Sequence, residues 1–357
     1  MRNICQLQCW SVFILLCLGW RLNAQTTITL RAIGPIDAHA HIFVDATEVR
    51  ELLDQMNLRL VNITVVDPYY RGCETVEPQH QWALKFFRAN GHRASWISTF
   101  DPKDWEAPGF AARVIPELEQ TFLEGAVGVK IYKTIGMDLR STTGAYVLPD
   151  DPAFAPVLEA IGRHGKTLYA HIAEPIGAWK PLDPGDPDYD YYKVNPRWHM
   201  YGHPERPSKV AILAARDHMV GQHPGLRVVG CHLGSMEEDI DEIAKRFDRY
   251  PNFAVDTAAR VGHLALQPRE KVRAFMLKYQ DRILYGTDAA IRPGNDVSTR
   301  VKRWKARLEE DWVYFATSEI IEYDGHKVKG LQLPEHVLRN LYRENALRWV
   351  PGILPSR

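Results

Sequence analysis

The feature that most restricts the fold of this chain is a regular alternation of β-branched runs with amphipathic stretches, repeated between Ile36 and Asp288. The opening run 36–42 is followed by 47–57, where Val49, Leu52, Leu53 and Met56 share one helical face. Residues 58–66 are rich in Val and Ile and stop at Asp67-Pro68, as a strand does. The same reading predicts strands at 94–100, 126–132, 167–172, 226–232, 253–256 and 283–288. Helices are predicted at 77–90, 110–123 (interrupted by Pro116), 154–164, 208–218, 236–249 and 272–278, with Ser208 as a cap and Gly91 and Gly165 as terminators. Strands that alternate with helices imply a parallel sheet. Eight of them imply an α/β fold closed into a (β/α)8 TIM barrel, with an open doubly wound sheet as the competing topology.

Segment 174–207, after the fifth strand, breaks the pattern. It carries several prolines and then Tyr189, Tyr191, Tyr192, Trp198 and Tyr201. An insertion this long on the side where barrels bind substrate is expected to act as a lid.

The formal net charge of zero and the absence of a basic run argue against nucleic acid or an anionic membrane as partner. Residues 1–24 read as a signal peptide: Arg2, an apolar run too short to span a bilayer, then Leu22-Asn23-Ala24. The expected product is an exported protein, periplasmic or secreted, with one domain over 25–357 and no membrane segment after cleavage. Of its cysteines only Cys73 and Cys231 would remain, too few for a disulfide framework.

Ligand-type residues gather at the predicted strand ends. His39 and His41 share a face of the first strand, roughly 6.6 Å apart. Lys130 falls on the fourth strand, His171 on the fifth, His232 on the sixth and Asp288 on the eighth. In a closed barrel these ends converge on one face, and imidazoles with a carboxylate suit zinc, manganese or iron(II). Asp288 can serve as ligand and general base, and His232 can bind a second metal or polarise a substrate oxygen. Arg260, beyond the seventh strand, can grip a substrate carboxylate or pair with Asp256 or Glu174. Glu174, Tyr132 and His199 are further candidates for substrate contact.

The ordered pieces Asp37-Ala38-His39-Ala40-His41, Gly128-Val129-Lys130-Ile131, Ala170-His171-Ile172, Gly230-Cys231-His232-Leu233-Gly234 and Gly286-Thr287-Asp288 resemble the amidohydrolase superfamily of metal-dependent barrel enzymes. The terminal run Leu341-Tyr342-Arg343-Glu344-Asn345-Ala346-Leu347-Arg348 is similar to the closing helix of the branch with decarboxylases and lactone hydrolases. The resemblance implies that His39, His41, His171 and Asp288 hold a divalent metal beside His232. It also raises a lysine carbamate at Lys130 bridging two ions; an unmodified Lys130 leaves one. The expected activity is attack of metal-bound hydroxide on an amide, ester or lactone carbonyl of a small, anionic substrate. A decarboxylase of a small carboxylic acid is the second reading, and a non-catalytic solute-binding protein the third. A homo-oligomer is compatible with each.

Overall fold

A computed structural model describes residues 28–69, 72–323 and 325–353. The expected signal segment 1–24 lies outside them. Nine parallel strands form one sheet: β1 Ile36–Ile42, β2 Arg59–Ile63, β3 Ala94–Thr99, β4 Ala126–Ile131, β5 Thr167–Ala170, β6 Arg227–Gly230, β7 Phe253–Asp256, β8 Ile283–Leu284 and β9 Ala289–Ile291. Neighbours follow chain order from β8 back to β1, and β9 then pairs with β1. The predicted eighth strand is thus broken in two, its first half on β7 and its second on β1. Hydrogen bonds from Ala38 N to Tyr285 O and from Asp288 N to His39 O stitch the break to β1. Together they close a (β/α)8 barrel.

The helices follow from their apolar spacing and caps. Thr47–Gln55 buries Val49, Leu52 and Leu53. Lys209–Gln222 starts where the Ser208 hydroxyl accepts from Ala211 N, one turn longer than the sequence suggests. Phe110–Leu123 runs straight through Pro116 rather than breaking there. Helix Val297–Ala316, capped by Asp296, and the antiparallel hairpin Ile320–Tyr323 with His326–Lys329 follow the barrel and were not anticipated from periodicity. No helix among the described residues is long and apolar enough to cross a membrane.

Two apolar layers hold the barrel. One fills its interior, with Ile36, Ala38, Val61, Ile97, Tyr169, Val229 and Leu284, and is plugged at one end by Trp349, Val350 and Ile353. The other lies between strands and helices and includes Ala40 and Ile42. Ile36 and Ala38 therefore belong to one layer and Ala40 and Ile42 to the other, although plain alternation would keep all four together. An irregularity in the pairing of β1 with β2, between Asp37 and Ala40, accounts for the reversal. It sends Asp37 outward, to Thr287 and Trp304, and turns His39 and His41 into the barrel mouth.

Candidate metal centre

Three histidines at the mouth are each fixed by one ring nitrogen and offer the other. His39 Nδ1 lies 2.8 Å from Asp256 Oδ2, His41 Nδ1 2.6 Å from Ile63 O, and His232 Nδ1 2.8 Å from Ala258 O. Backing of this kind sets tautomer and ring orientation in metal sites. The Nε2 atoms of His39 and His41 stand 3.7 and 3.3 Å from Asp288 Oδ1. Potential ligand atoms of these three residues all fall within 4.8 Å of one another. The His232 ring lies tilted 4.8 Å from the His39 ring and edge-on 4.4 Å from that of His171. His171 Nε2 is buried with no hydrogen-bond partner among the described residues. A buried imidazole nitrogen left unsatisfied costs stability unless something binds it. The donor set and this orphaned nitrogen together fit a divalent metal.

The backbone is strained where the site needs it. His232, Leu233 and Ser235 all have positive φ, near 57°, forming a left-handed turn straight after β6. Such a turn costs roughly 1–2 kcal/mol per residue against the right-handed form. The predicted strand end at His232 is therefore a turn that lifts the imidazole over the barrel. Asp288 also has φ of 62°. Gly286, two residues before, approaches so closely that a Cβ there would sit 2.8 Å from His39 Cβ. Only glycine lets the two strands meet at this point.

Electrostatics separates the ligands. Burial holds His171 and His232 well below the ordinary imidazole range and His41 at about 4, so all three are neutral at pH 7. Burial and the charge of Lys130 push the His39 pKa down, but the charge and hydrogen bond of Asp256, together with Cys231, raise it to about 10. Metal binding at its Nε2 therefore requires loss of a proton. Burial works against ionisation of Asp288, but the His41 hydrogen bond and the charge of protonated His39 hold its carboxyl well below the usual range.

Lys130 is buried, with Nζ 3.3 Å from His39 Nε2 and 3.2 Å from Cys231 Sγ. The cavity above these residues, about 390 Å³, is lined by His39, His41, Lys130, His171, His232 and Asp288, with Tyr132, Glu174 and Arg260 on its walls. Tyr132 donates its hydroxyl to Asp67 Oδ2 at 3.2 Å. Arg260 pairs with neither Asp256 nor Glu174; its Nε stands 3.8 Å from Glu237 Oε2. Glu174 is engaged by the Lys133 ammonium and by Tyr192 OH. His199 is not brought to the cavity, because its Nε2 lies 2.8 Å from Lys180 O, facing away along the insertion.

Several cavity residues were missed in the sequence. Lys133, on the turn after β4, meets Glu174 and Tyr191 OH and stacks 4.5 Å from the Trp198 ring. Arg197 reaches Asp67 at 3.4 Å and stacks on Tyr69. The aromatic cluster of 174–207 was the visible signal for both, since buried Tyr192 and Trp198 order the segment against the barrel. The lid expectation becomes a packed wall over one side of the cavity.

The fold and the site together define a (β/α)8 barrel with a candidate divalent-metal centre at its mouth. A family model described as amidohydrolase matches residues 36–352, and the chain belongs to that family. Among solved structures, an amidohydrolase II is 14% identical with a TM-score of 0.50, over 88% of this chain and 99% of that one. A 5-carboxyvanillate decarboxylase from Sphingomonas paucimobilis is 16% identical (TM-score 0.48, 90% and 99% covered). A 2,6-dihydroxybenzoate decarboxylase from Rhizobium is 15% identical (TM-score 0.49, 88% and 97% covered). At these identities the likeness concerns the fold alone. No curated protein sequence matches the chain.

Proposed function

We propose that this amidohydrolase-family chain is a metal-dependent hydrolase of a small anionic amide, ester or lactone. The observation that carries the reading is the convergence of His39, His41 and Asp288 beside His171 and its unpartnered Nε2. His39, His41, His171 and Asp288 would hold the ion, with zinc, manganese or iron(II) suited to such donors. A bound divalent ion supplies Lewis acidity and a water activated at neutral pH.

The chain's own groups do the rest. Asp288, ionised, accepts the proton of the attacking water on a carboxylate oxygen and returns it to the leaving group. His232, neutral with its Nδ1–H donated to Ala258 O, presents an unprotonated Nε2 that accepts a hydrogen bond from a substrate hydroxyl or N–H. Arg260, at the cavity wall, takes the substrate's anionic group through charge-assisted hydrogen bonds. Lys133 and Glu174 neutralise each other and hold the insertion as a wall that restricts water. Lys130, buried against Cys231 and His39, sits where a carbamate would add a second oxygen donor set. Export rests on the pattern of residues 1–24 and belongs to the same proposal.

The test is a substrate screen read by mass spectrometry on metal-loaded protein. Product heavier than substrate by water, or two products that sum to it, supports hydrolysis. Product lighter by CO2 with no water gained replaces this reading with decarboxylation.

A further inference from the structure

A second cavity, of about 420 Å³, lies on the other side of the segment that carries Asp288. Its walls are Thr287, Asp288, Ala289 and Ala290 on one side and helix Val297–Ala316 on the other. Asp288 and Ala290 line both cavities. That shared position explains why the Asp288 side chain is 34% exposed while those of His39 and His41 are 0% and 9% exposed.

The helix presents Arg300, Arg303 and Arg307 to this cavity. Their spacing of three and four residues places them on one stripe. Arg307 is committed, with Nη1 3.8 Å from both Glu310 and Asp311. Arg300 and Arg303 have no side-chain partner among the described residues. Besides Asp288, the lining holds one carboxylate, Glu310, and Arg307 already stands against it. Trp304, on the same helix, is buried beneath the cavity and fixed by its Nε1 donating to Asp37 at 2.9 Å. Two unpaired guanidiniums on one helix stripe suit a planar or tetrahedral oxyanion, which arginine binds through paired N–H donors.

We propose that this cavity is an oxyanion subsite in which Arg300 and Arg303 bind a carboxylate or phosphoryl group of the substrate, remote from the bond broken at Asp288. It rests on the hydrolase reading only in placing the reacting centre at Asp288. Substrates with a second acidic group several atoms from the scissile carbonyl would then be preferred, because one group meets Arg260 and the other meets this stripe.

Calorimetric titration of the intact protein with inorganic phosphate, and separately with succinate, tests the subsite without any turnover. The expected result is saturable binding of one or both anions, weakened about tenfold or more in the Arg300→Gln, Arg303→Gln double variant. That binding persists in Arg260→Gln and after metal removal by chelator. Tighter succinate assigns a carboxylate to the subsite, and tighter phosphate a phosphoryl group. Absence of saturable binding, or binding indifferent to the double variant, overturns the proposal. So does binding abolished by chelator or by Arg260→Gln, which places the anion in the main cavity. Both arginines are on an exposed helix face, so the variants fold. Metal content is measured alongside: wild-type protein without metal contradicts the hydrolase reading and leaves the phosphate result to stand on its own.

Discussion

Asp256 Oδ2 lies 2.8 Å from His39 Nδ1, with both side chains shut off from solvent, while Asp256 Oδ1 accepts from the backbone N–H of His232 and Ala258 at 2.8 and 3.1 Å. One carboxylate therefore orients an imidazole of β1 and anchors the left-handed turn after β6. In Asp256→Asn the amide oxygen can keep the two backbone donors, which leaves the NH2 facing His39. His39 must then accept at Nδ1 and carry its proton on Nε2, the nitrogen a metal needs. Metal affinity should fall about 10- to 100-fold, with the fold retained, as read by metal titration and circular dichroism. Unchanged affinity would show that Asp256 does not set the tautomer.

His171 separates stability from function. Its Nε2 is buried without a partner among the described residues, so the metal-free protein gains little from it. His171→Asn should change metal-free stability by no more than about 1 kcal/mol while lowering metal occupancy. Denaturant unfolding after chelation and elemental analysis provide the two readings. A large loss of metal-free stability would make His171 a packing residue.

Lys133 and Glu174 form an ion pair closed to solvent and roofed by Trp198. Lys133→Met strands a buried carboxylate and should cost about 3–5 kcal/mol in denaturant unfolding. Adding Glu174→Gln removes the stranded charge and should restore much of that loss. Equal destabilisation in the single and double variants would mean that the two residues are not energetically coupled.

Asp311 sets a pH dependence of its own. Burial raises its carboxyl from 3.8 to about 7, although Tyr323, Arg307 and Tyr285 all favour the ionised form. The native protein therefore keeps a proton that the unfolded chain has released between pH 4 and 7. Stability contributed by this group is present in full below pH 4 and is lost as pH rises through 7, by on the order of 1.4 kcal/mol per unit at most. Asp311→Asn should flatten this part of the stability profile and unfold at higher denaturant than wild type at pH 8. A profile between pH 5 and 8 that the substitution leaves unchanged would contradict the assignment.

Much of the barrel was legible because its signals are local. β-branched runs, Ser208 as a cap and the Gly-terminated helices depend on neighbouring residues, and each predicted strand and helix overlaps an element of the structure, the eighth strand in two pieces. The His-x-His pair and Asp288 were legible for the same reason, as residues at the ends of such runs. What sequence could not show depends on distant partners. The parity switch in β1 arises from pairing with β2, and the break in the eighth strand from the close approach of Gly286 to His39. Asp256 read as an ordinary strand residue because its role exists only across the barrel. Lys133 and Arg197 sit on irregular segments without periodicity, whereas His199, on the same insertion, turns away to a carbonyl. Helix Val297–Ala316 had a readable start in Asp296 and Thr299, but it lies beyond the eighth strand, where the alternation no longer guides assignment.

The account turns on whether the five residues at the mouth bind a metal, and elemental analysis of the purified protein measures this directly. The prediction is one or two divalent ions per chain in the wild type, and loss of the ion from the His39, His41, Asp288 cluster in the His41→Asn and Asp288→Asn variants while both remain folded. Wild-type protein that takes up no zinc, manganese or iron(II) on dialysis against each ion, or variants that retain the full wild-type complement, would contradict it.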